Sequence, residues 1–500
     1  MAMKFREFAD LLAFSRLVGD GDVTVTGVQA DHRLIEPGNV FVCIPGSVHD
    51  GHRFAAEAVA KGAGAVVAEK ELPFLPVPQL IVRDTREAVG WLAAHFHGYP
   101  SRDMKLIGVT GTNGKTTVTR LIDRIFADAG FKTGVMGTIG VRYGDVKLPA
   151  ERTTQEAPDL QRTLRWMADA GVEVCAMEVS SHALELGRVK GCRFRTAVFT
   201  NLTQDHLDYH QTMERYRAAK GLLFARLSSD GPGRERQFAV LNADDGASAE
   251  YARLTGAQVV TYGVGRAADV TARDIDVSPK GTAFTLVTPF GAGRVNMKLI
   301  GGFNVHNALA AAAAALVEGI GLDAVIRSLE AAEPVEGRME RVDAGQEFLV
   351  LVDYAHTPDG LENALRSISR FAEGNIITVF GCGGDRDRAK RPVMGRIAAE
   401  YSDLVFVTSD NPRSEEPMAI IREIMEGIRE SGFPEDRCEA VEDRREAIRR
   451  AVAAAGKGDV VLIAGKGHET YQILKNGTID FDDRQVAREA IREAIGGPGR

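Results

Sequence analysis

Residues 104–130 read MKLIGVTGTNGKTTVTRLIDRIFADAG, and this stretch predicts the architecture of the central part of the chain. Residues 105–110 are typical of a buried strand, and residues 111–114 form a glycine-containing loop. The residues that follow place apolar side chains at the spacing of a helix packed on a sheet, and Gly130 ends that pattern. A strand, such a loop and a helix in this order predict a phosphate-binding loop.

The loop has the residue types that a nucleotide requires. Glycines let backbone N–H groups converge on phosphate oxygens, while Lys115 reaches the terminal phosphates and Thr116 offers a hydroxyl to Mg²⁺. Val109 stands where the strict motif has glycine, so the loop is shorter than the standard one. The motif does not define the fate of the phosphate. The predicted nucleotide-binding residues are Gly111, Thr112, Asn113, Gly114, Lys115, Thr116 and Thr117.

The length of 500 residues corresponds to roughly three domains of about 150 residues each. A composition of 44% hydrophobic and 26% charged residues can fill several cores, which excludes wholesale disorder. Strand-like and helical segments alternate, and this alternation predicts an α/β fold with parallel sheets. We predict an N-terminal domain over 1–100, a central P-loop ATPase domain over 101–334 and a Rossmann-like C-terminal domain over 335–500.

The formal charge of −8 argues against a general nucleic-acid-binding protein. No uncharged apolar run approaches the roughly 20 residues that span a bilayer, so we expect a cytoplasmic protein without a membrane span. The five cysteines are scattered and form no CxxC or Cys/His cluster. Neither a disulfide framework nor a structural zinc site is therefore expected.

Three further features of the central block suggest chemistry, and each has a plainer interpretation. Glu178 ends an apolar strand, where it either binds Mg²⁺ or caps the strand. Residues 201–210, NLTQDHLDYH, follow another strand and form either a polar loop or a loop that contacts metal or phosphate. Lys220 lies among small and apolar neighbours on a predicted helix, although an isolated helical lysine is usually solvated.

Together these segments resemble the Mur ligases, the ATP-dependent amide-bond-forming enzymes of peptidoglycan precursor synthesis. The resemblance extends over nearly the whole chain and implies a three-domain ligase. The matching motifs, in chain order, are GTNGKTT (111–117), EVSSHAL (178–184), NLTQDHLDYH (201–210), YRAAKGLLF (216–224), GGFNVHN (301–307), EGRMER (336–341) and DYAHTPD (353–359).

The resemblance implies Mg²⁺ as cofactor and ATP as co-substrate. The catalytic residues would be Lys115, Lys220, Glu178 and His206. The residue that matches Lys220 is carbamylated in this family, which turns a cation into a carboxylate, so the implied metal-binding residues are Thr116, Glu178, His206 and the carbamate of Lys220. The ATP site would also include Asn304, Arg338, Asp353 and His356.

Within the family, the chain most resembles the members that add meso-diaminopimelate to UDP-N-acetylmuramoyl-L-alanyl-D-glutamate. A guanidinium binds a carboxylate through two parallel hydrogen bonds, which suits the extra carboxylate that distinguishes diaminopimelate from lysine. The segments that carry this closer resemblance are DNPR (410–413), GGDRDRAKRP (383–392) and AGKGHETYQ (464–472). Taken alone, the tetrapeptide DNPR leaves open that Arg413 is a surface charge after a turn. The residues implied to bind diaminopimelate are Arg386, Asp410, Asn411, Pro412, Arg413, Gly465 and Glu469.

The nucleotide-sugar site is implied by a second set of residues. Two departures from the family pattern affect it, because His32 replaces a serine that many relatives carry and Leu186 replaces a glutamine that some carry. His32 can still donate a hydrogen bond, whereas Leu186 cannot. The residues implied to bind the UDP-muramyl dipeptide are His32, Thr153, Thr154, Ser180 and Arg188.

The implied reaction transfers the γ-phosphoryl group of ATP to the D-glutamate γ-carboxylate, after which the amine of diaminopimelate displaces phosphate. Two alternatives remain open at this point. A sister ligase that adds L-lysine would differ only in the amino-acid site, and a P-loop regulatory NTPase would explain GTNGKTT but not the other motifs. The related folylpolyglutamate synthetases lack this N-terminal block and the DNPR tetrapeptide. We expect a monomer.

Overall fold

The computed structural model describes residues 2–46, 49–227 and 236–496, and most of its strands belong to three sheets that follow one another along the chain. Helices pack on these sheets, which confirms the predicted α/β class with three domains. Each main sheet lies inside one of the predicted ranges 1–100, 101–334 and 335–500, and we retain those limits as a proposal.

The N-terminal sheet has five strands in the order β2-β7-β6-β5-β4, of which β4 to β7 are parallel and β2 is antiparallel. Helix α3 begins after Asp84, whose carboxylate accepts a hydrogen bond from the backbone of Glu87, and packs its apolar face on the core. The elements are β1 Met3–Lys4, α1 Arg6–Ala9, β2 Arg16–Val18, β3 Thr24–Val25, β4 Gly27–Gln29, β5 Asn39–Val42, α2 Ala55–Ala60, β6 Ala65–Ala68, β7 Gln79–Ile81 and α3 Thr85–Phe96.

The central sheet has eleven strands in the order β11-β10-β9-β12-β8-β13-β14-β15-β16-β17-β18. Its middle, from β9 to β16, is parallel, and antiparallel hairpins extend both edges. The elements are β8 Lys105–Thr110, α4 Lys115–Asp128, β9 Thr133–Gly137, β10 Gly140–Tyr143, β11 Val146–Leu148, α5 Ala157–Asp169, β12 Val174–Glu178, α6 Ser181–Glu185, β13 Thr196–Phe199, α7 Leu207–His210, α8 Met213–Ala225, β14 Phe238–Asn242, α9 Ser248–Leu254, β15 Gln258–Gly263, β16 Val270–Ser278, β17 Gly281–Thr288, β18 Gly291–Met297, α10 Phe303–Leu316 and α11 Leu322–Ala331.

The helix that follows the phosphate loop packs as its sequence predicts. In α4, Val118, Leu121, Ile122, Ile125 and Phe126 are all buried on the face that meets the sheet. The alanine-rich helix α10 lies beside α4 and is buried along most of its length. Small side chains allow this close approach, so two helices share one face of the sheet directly behind the loop.

The C-terminal sheet has six strands in the order β19-β20-β24-β21-β22-β23, all parallel except β19. The last helix, α16, is anchored by an ion pair of 2.7 Å between the fully buried Asp483 and Arg444, and Arg444 also donates to the carbonyl of Ala464. The elements are β19 Glu340–Val342, β20 Leu349–Asp353, α12 Pro358–Ile368, β21 Ile376–Phe380, α13 Lys390–Tyr401, β22 Leu404–Thr408, α14 Pro417–Glu430, β23 Cys438–Val441, α15 Arg444–Ala454, β24 Val460–Ala464, β25 Tyr471–Leu474, β26 Gly477–Asp480 and α16 Asp483–Gly496.

The parallel strands of both larger sheets end beside the residues that the sequence singles out. In the central sheet, β8, β12 and β13 lead into the phosphate loop, Glu178 and residues 200–210. In the C-terminal sheet, β20, β22 and β24 lead into Asp353, Asp410 and Gly465. Ligands of open α/β sheets bind at these strand ends. Over the described ranges, no helix is both long and apolar enough to cross a membrane.

Candidate active site

The phosphate loop is closely packed at its two glycines. Gly111 has a φ of +152°, and a Cβ there would lie 1.8 Å from Thr200 Oγ1. Gly114 has a φ of +87°, and a Cβ there would lie 2.4 Å from Asn307 Oδ1. Side chains cannot be accommodated at either position, which explains the glycines without reference to a ligand. The same packing leaves the start of α4 directed toward the end of the sheet, where a phosphate group is favoured.

Lys115 and Lys220 converge on one backbone carbonyl. Both ammonium groups donate to the oxygen of Gly111, at 2.9 Å and 2.8 Å, and Lys115 also donates to that of Thr112 at 2.8 Å. Burial lowers the pKa of both lysines, and the charge of Lys115 lowers that of Lys220 further. Lys220 is only 1% exposed, so the alternative of a solvated lysine is wrong.

Glu178 is held by hydroxyl groups and a backbone amide. Its carboxylate accepts from Thr116 Oγ1 at 3.0 Å, from the backbone N–H of Thr138 at 2.9 Å and from Thr138 Oγ1 at 3.1 Å. Arg338 donates to Thr116 Oγ1 at 3.2 Å. Thr116 and Glu178 therefore form an oxygen-rich site that an arginine of the C-terminal region approaches.

His206 and His356 both lie close to one carboxylate oxygen of Asp205. The distances from Asp205 Oδ2 to the Nε2 atoms are 3.3 Å for His206 and 3.9 Å for His356. Burial lowers the pKa of His206 to about 3 and that of His356 to about 4, so both imidazoles are neutral at pH 7. Lys390 is buried and donates to the carbonyl of His356 at 2.8 Å, which brings a further cation to this point.

The four residues implied to bind metal are divided among three separate contacts. Thr116 and Glu178 are hydrogen-bonded to each other, whereas His206 contacts Asp205 and Lys220 contacts Gly111. Within the described part of the chain, no three His, Cys, Asp or Glu side chains are grouped closely enough to hold a metal ion. Hard cations prefer oxygen ligands, and Thr116 with Glu178 supplies the right donor type for Mg²⁺.

A cavity of about 370 Å³ lies between the central and C-terminal sheets, against the phosphate loop. Asn304 does not line it, but donates to the carbonyl of Ile300 at 2.8 Å and accepts from Asn307, which does line it. His356 lines a different cavity. The residues of the implied ATP site that line this first cavity are Asn113, Gly114, Thr117, Arg338 and Asp353.

Asn113 joins the phosphate loop to the C-terminal domain. Its side-chain amide donates to Asp359 Oδ2 at 2.8 Å and to Thr357 Oγ1 at 3.4 Å. Thr357 caps α12 by accepting from the backbone of Gly360. The first cavity is therefore closed on one side by direct contacts between residues that are about 240 positions apart in the chain.

A second cavity of about 540 Å³ contains most of the residues implied to bind the amino acid. Pro412 is not among its lining residues, and its carbonyl instead lies against Gly384 and accepts from the backbone of Glu415. Thr153, His206 and His356 also line this cavity, so it extends from the amino-acid site to the phosphate end. The implied diaminopimelate-binding residues on its wall are Arg386, Asp410, Asn411, Arg413, Gly465 and Glu469.

Asn411 and Glu469 are fixed by a buried lysine. Asn411 donates to Glu469 Oε2 at 2.9 Å, and Lys466 donates to Asn411 Oδ1 at 3.0 Å and to Glu469 Oε2 at 2.9 Å. Beside them, Asp410 Oδ2 is buried without a hydrogen-bond partner. Asp410 lines the second cavity, and a buried carboxylate oxygen without a donor is suited to an amine.

Arg413 and Arg386 supply positive charge at the same wall. Arg413 donates to the carbonyl of Gly384 at 2.9 Å, and its pKa is lowered by burial and then by the charge of Arg386. Two neighbouring guanidinium groups that repel each other favour an anion between them. The second cavity thus offers partners for both an amine and a carboxylate.

Four of the five residues implied to bind the nucleotide sugar lie near Glu178. Thr154 Oγ1 donates to the carbonyl of Glu178 at 2.9 Å and accepts from the backbone of Ser180 at 3.0 Å. Arg188 donates to the carbonyl of Thr154 and forms an ion pair with Glu156. Thr153 Oγ1 lies 3.0 Å from Thr138 Oγ1. His32 lies in the N-terminal domain, stacked on Phe54 with the ring centroids 4.3 Å apart.

Three residues at or beside these cavities were not among the site residues predicted from the sequence. Thr138 has no motif around it, and its role depends on the parallel pairing that places β9 beside β12. Lys390 and Lys466 do lie in segments that resemble the family, GGDRDRAKRP and AGKGHETYQ, so a search for buried lysines in those segments could have found them.

Comparison with known proteins shows the family to which the chain belongs. Three family models match it in order: Mur ligase family, catalytic domain, over 24–97; Mur ligase middle domain over 109–315; and Mur ligase, glutamate ligase domain, over 337–467. The chain belongs to the Mur ligase family. This confirms the resemblance inferred from the ordered motifs.

Relatives of this Mur ligase match it over almost their whole length. A protein of Geobacillus kaustophilus named UDP-N-acetylmuramoyl-L-alanyl-D-glutamate–2,6-diaminopimelate ligase is 52% identical, covering 95% of this chain and 96% of its own. A Listeria monocytogenes protein of the same name is 47% identical with the same coverage.

Solved structures agree with the sequence comparison. A structure of a ligase with that name is 35% identical, with a TM-score of 0.69 and coverage of 99% of this chain and 100% of its own. A MurF structure from Acinetobacter baumannii, 21% identical with a TM-score of 0.68, covers 93% and 96% and shares the fold.

Proposed function

We propose that this Mur ligase joins meso-diaminopimelate to UDP-N-acetylmuramoyl-L-alanyl-D-glutamate, with conversion of ATP to ADP and phosphate. The observation that carries this proposal is the wall of the second cavity. Arg386 and Arg413 suit a carboxylate there, while Asp410 and Glu469 suit an amine. The names of the relatives, at up to 52% identity over nearly the full chain, specify the same amino acid.

ATP occupies the first cavity in this proposal, with its phosphates at the loop between β8 and α4. Lys115 neutralises charge on the transferring phosphoryl group, and the helix N-terminus contributes backbone N–H groups. Asn113 and Arg338 contact both the loop and the C-terminal region, so nucleotide binding and domain closure are coupled. Closure excludes water from the reactive intermediate.

The nucleotide sugar enters from the N-terminal side, where we assign His32, Thr153, Thr154, Ser180 and Arg188 to its binding. Phosphoryl transfer converts the D-glutamate γ-carboxylate into an acyl phosphate, which has a good leaving group. The amine of diaminopimelate then attacks the carbonyl carbon, phosphate leaves, and the attacking nitrogen loses a proton. The second cavity fits this sequence because it connects Thr153 and His206 to Arg413.

Mg²⁺ bound at this site would stabilise the negative charge that develops during phosphoryl transfer. Thr116 and Glu178 would hold it, together with the neutral imidazole of His206. Lys220 is fully buried with a lowered pKa, so its amine is available to react with CO₂. The resulting carbamate would supply a second acidic ligand in addition to Glu178.

An ADP-release assay tests the proposal. The enzyme is incubated with ATP, Mg²⁺ and the UDP-muramyl dipeptide, together with meso-diaminopimelate, L-lysine or no amine. We expect kcat/KM for diaminopimelate to exceed that for L-lysine by about 10² to 10⁴, because lysine leaves the guanidinium groups unpaired. Equal use of L-lysine would identify the sister ligase, and amine-independent ATP turnover would favour a regulatory NTPase. We further expect a cytoplasmic monomer, whose size gel filtration measures.

A further inference from the structure

Two loops that carry the arginines of the second cavity contain residues in a strained conformation. Asp385, next to Arg386, has a φ of +54°, and Arg413 itself has a φ of +53°. Residues other than glycine rarely adopt left-handed backbone conformations, and they persist only where neighbouring contacts hold them. The contacts that hold these two residues therefore determine where both guanidinium groups point.

The two loops are bonded directly to each other. The backbone of Gly384 donates to the carbonyl of Asn411 at 2.9 Å, and Arg413 donates back to the carbonyl of Gly384. Ser414 Oγ donates to Asp385 Oδ1 at 2.6 Å. The backbone N–H of Asp385 donates to Glu415 Oε1 at 2.7 Å, so Glu415 helps to hold Asp385 in its strained conformation.

Arg391 lies behind both loops and outside the lining of the second cavity. Its guanidinium is fully buried and donates to both carboxylate oxygens of Glu415, at 2.8 Å and 2.9 Å. It also donates to Glu423 on α14 at 2.8 Å and to the carbonyl of Gly383 at 3.2 Å. The hydrogen bonds from Arg391 lower the pKa of Glu415 to about 2, so the carboxylate is ionised under all working conditions.

We propose that Arg391 and Glu415 form a positioning pair that fixes the separation of Arg386 and Arg413. The pair thereby sets the preference of the enzyme for an amino acid with a second carboxylate. The inference rests on the proposed function and adds residues that do not touch the substrate. A planar guanidinium fork has a fixed geometry, and two arginines that repel each other need such a brace to stay close together.

The variants E415Q and R391K test the pair. E415Q removes the charge with little change of shape, and R391K keeps a charge but cannot make the forked contact. We expect the KM for diaminopimelate to rise about tenfold in each, with kcat and the KM for ATP within about twofold of wild type. The kcat/KM for L-lysine stays unchanged, so discrimination between the two amino acids falls about tenfold.

Two further variants guard against a merely structural explanation. S414A removes one hydroxyl link between the loops without disturbing a buried charge, and we expect about a threefold rise in the KM for diaminopimelate. R388Q is the matched control, because Arg388 is an exposed arginine that also pairs with Glu423 but does not reach Glu415. It should retain wild-type values.

E415Q and S414A are first shown to be folded by thermal unfolding midpoints near that of wild type. If the KM for diaminopimelate is unchanged in both variants, the inference is overturned. Equal rises for diaminopimelate, L-lysine and ATP would overturn it as well, because they indicate general loosening. A wild-type enzyme whose ADP release does not depend on diaminopimelate would instead overturn the proposed function.

Discussion

The two cavities of this Mur ligase differ in how they present charge. The first, near the phosphate loop, is lined mostly by uncharged residues, including five asparagines, whereas the second has about twice as many charged side chains on its wall. In the proposed function, the first binds a co-substrate common to the whole family. The second must distinguish one amino acid from another. Discrimination requires groups that are left unpaired by the wrong ligand, and those groups are mostly charged.

The largest effect is expected at the phosphate loop beside the first cavity, from Lys115→Ala. Removal of this ammonium should lower kcat for diaminopimelate-dependent ADP release at least about 10³-fold, because the loop loses the positive charge that stabilises the transferring phosphoryl group. A coupled ADP assay measures the loss, and the exposed Lys280→Ala is the control. Normal ADP release by Lys115→Ala would refute the assignment of this cavity to ATP.

Lys220→Ala should lower kcat by about 10² to 10³, since the proposed carbamate supplies a metal-binding carboxylate. Acetate or formate at millimolar concentration should restore part of the activity by taking the place of the lost carboxylate. Arg215→Ala, on the exposed face of the same helix, should behave as wild type. An inactive variant that no small carboxylic acid rescues would speak against the carbamate.

At the second cavity, Arg413→Ala should lower kcat/KM for diaminopimelate about 10²-fold, because a charge-assisted contact to the distal carboxylate is lost. Nucleotide affinity, measured by fluorescence titration with an ATP analogue, should stay within about twofold. Arg422→Ala, an exposed arginine of α14, is the control. If Arg413→Ala weakened both ligands equally, the two cavities would not be separate in function.

Asp359→Ala should have a smaller effect, confined to the first cavity. The amide of Asn113 loses the shorter of its two contacts with the C-terminal domain, so we expect the KM for ATP to rise about fivefold, with the KM for diaminopimelate unchanged. Steady-state kinetics with each substrate varied in turn measures both values. Glu373→Ala removes an exposed carboxylate of the same domain and should change neither; a selective rise for diaminopimelate would contradict the prediction.

The smallest expected effect is on the pH dependence of folding stability, which has opposite signs at the two cavities. Burial raises the pKa of Asp353 in the first cavity to about 6, so the folded protein takes up a proton there and gains stability as pH falls from about 6 to 4. Glu415 lies behind the second cavity, and the hydrogen bonds from Arg391 lower its pKa to about 2. The folded protein therefore loses stability as pH falls from about 4.5 to 2.

Each of these two contributions should disappear in Asp353→Asn and Glu415→Gln respectively. Urea midpoints measured between pH 7 and pH 3 record both signs. Parallel curves for wild type and Asp353→Asn between pH 6 and pH 4 would show that Asp353 is not the group that titrates there.

The sequence predicted the parts of the fold that local patterns encode. The strand, loop and helix over residues 105–128 carry their own periodicity and glycines. Helix α16 is not among the elements predicted from the sequence, although Val486, Ala487, Ala490 and Ile491 have the spacing of an amphipathic helix. The short strands β25 and β26 are largely exposed and leave no apolar alternation to detect.

The candidate site was predictable as sets of residues but not as an arrangement. Motifs identified Asn113 and Asp359 separately, yet their contact joins positions 246 residues apart. Likewise, the sequence presents Lys220 as a helical lysine, and only packing shows that it shares a carbonyl with Lys115. Such couplings depend on the relative placement of two sheets, which no local pattern encodes.

The ion pair between Arg444 and Asp483 has a consequence for handling the protein. Arg444 also reaches the carbonyls of Ala464 and Ser409, which immediately precede Gly465 and Asp410 on the wall of the second cavity. A truncation that removes α16 would leave the buried guanidinium of Arg444 without its carboxylate partner beneath that wall, which would lower the free energy of unfolding by about 3 to 5 kcal/mol. Trimming the chain for crystallisation or expression would therefore damage amino-acid selection first, long before the phosphate loop is affected.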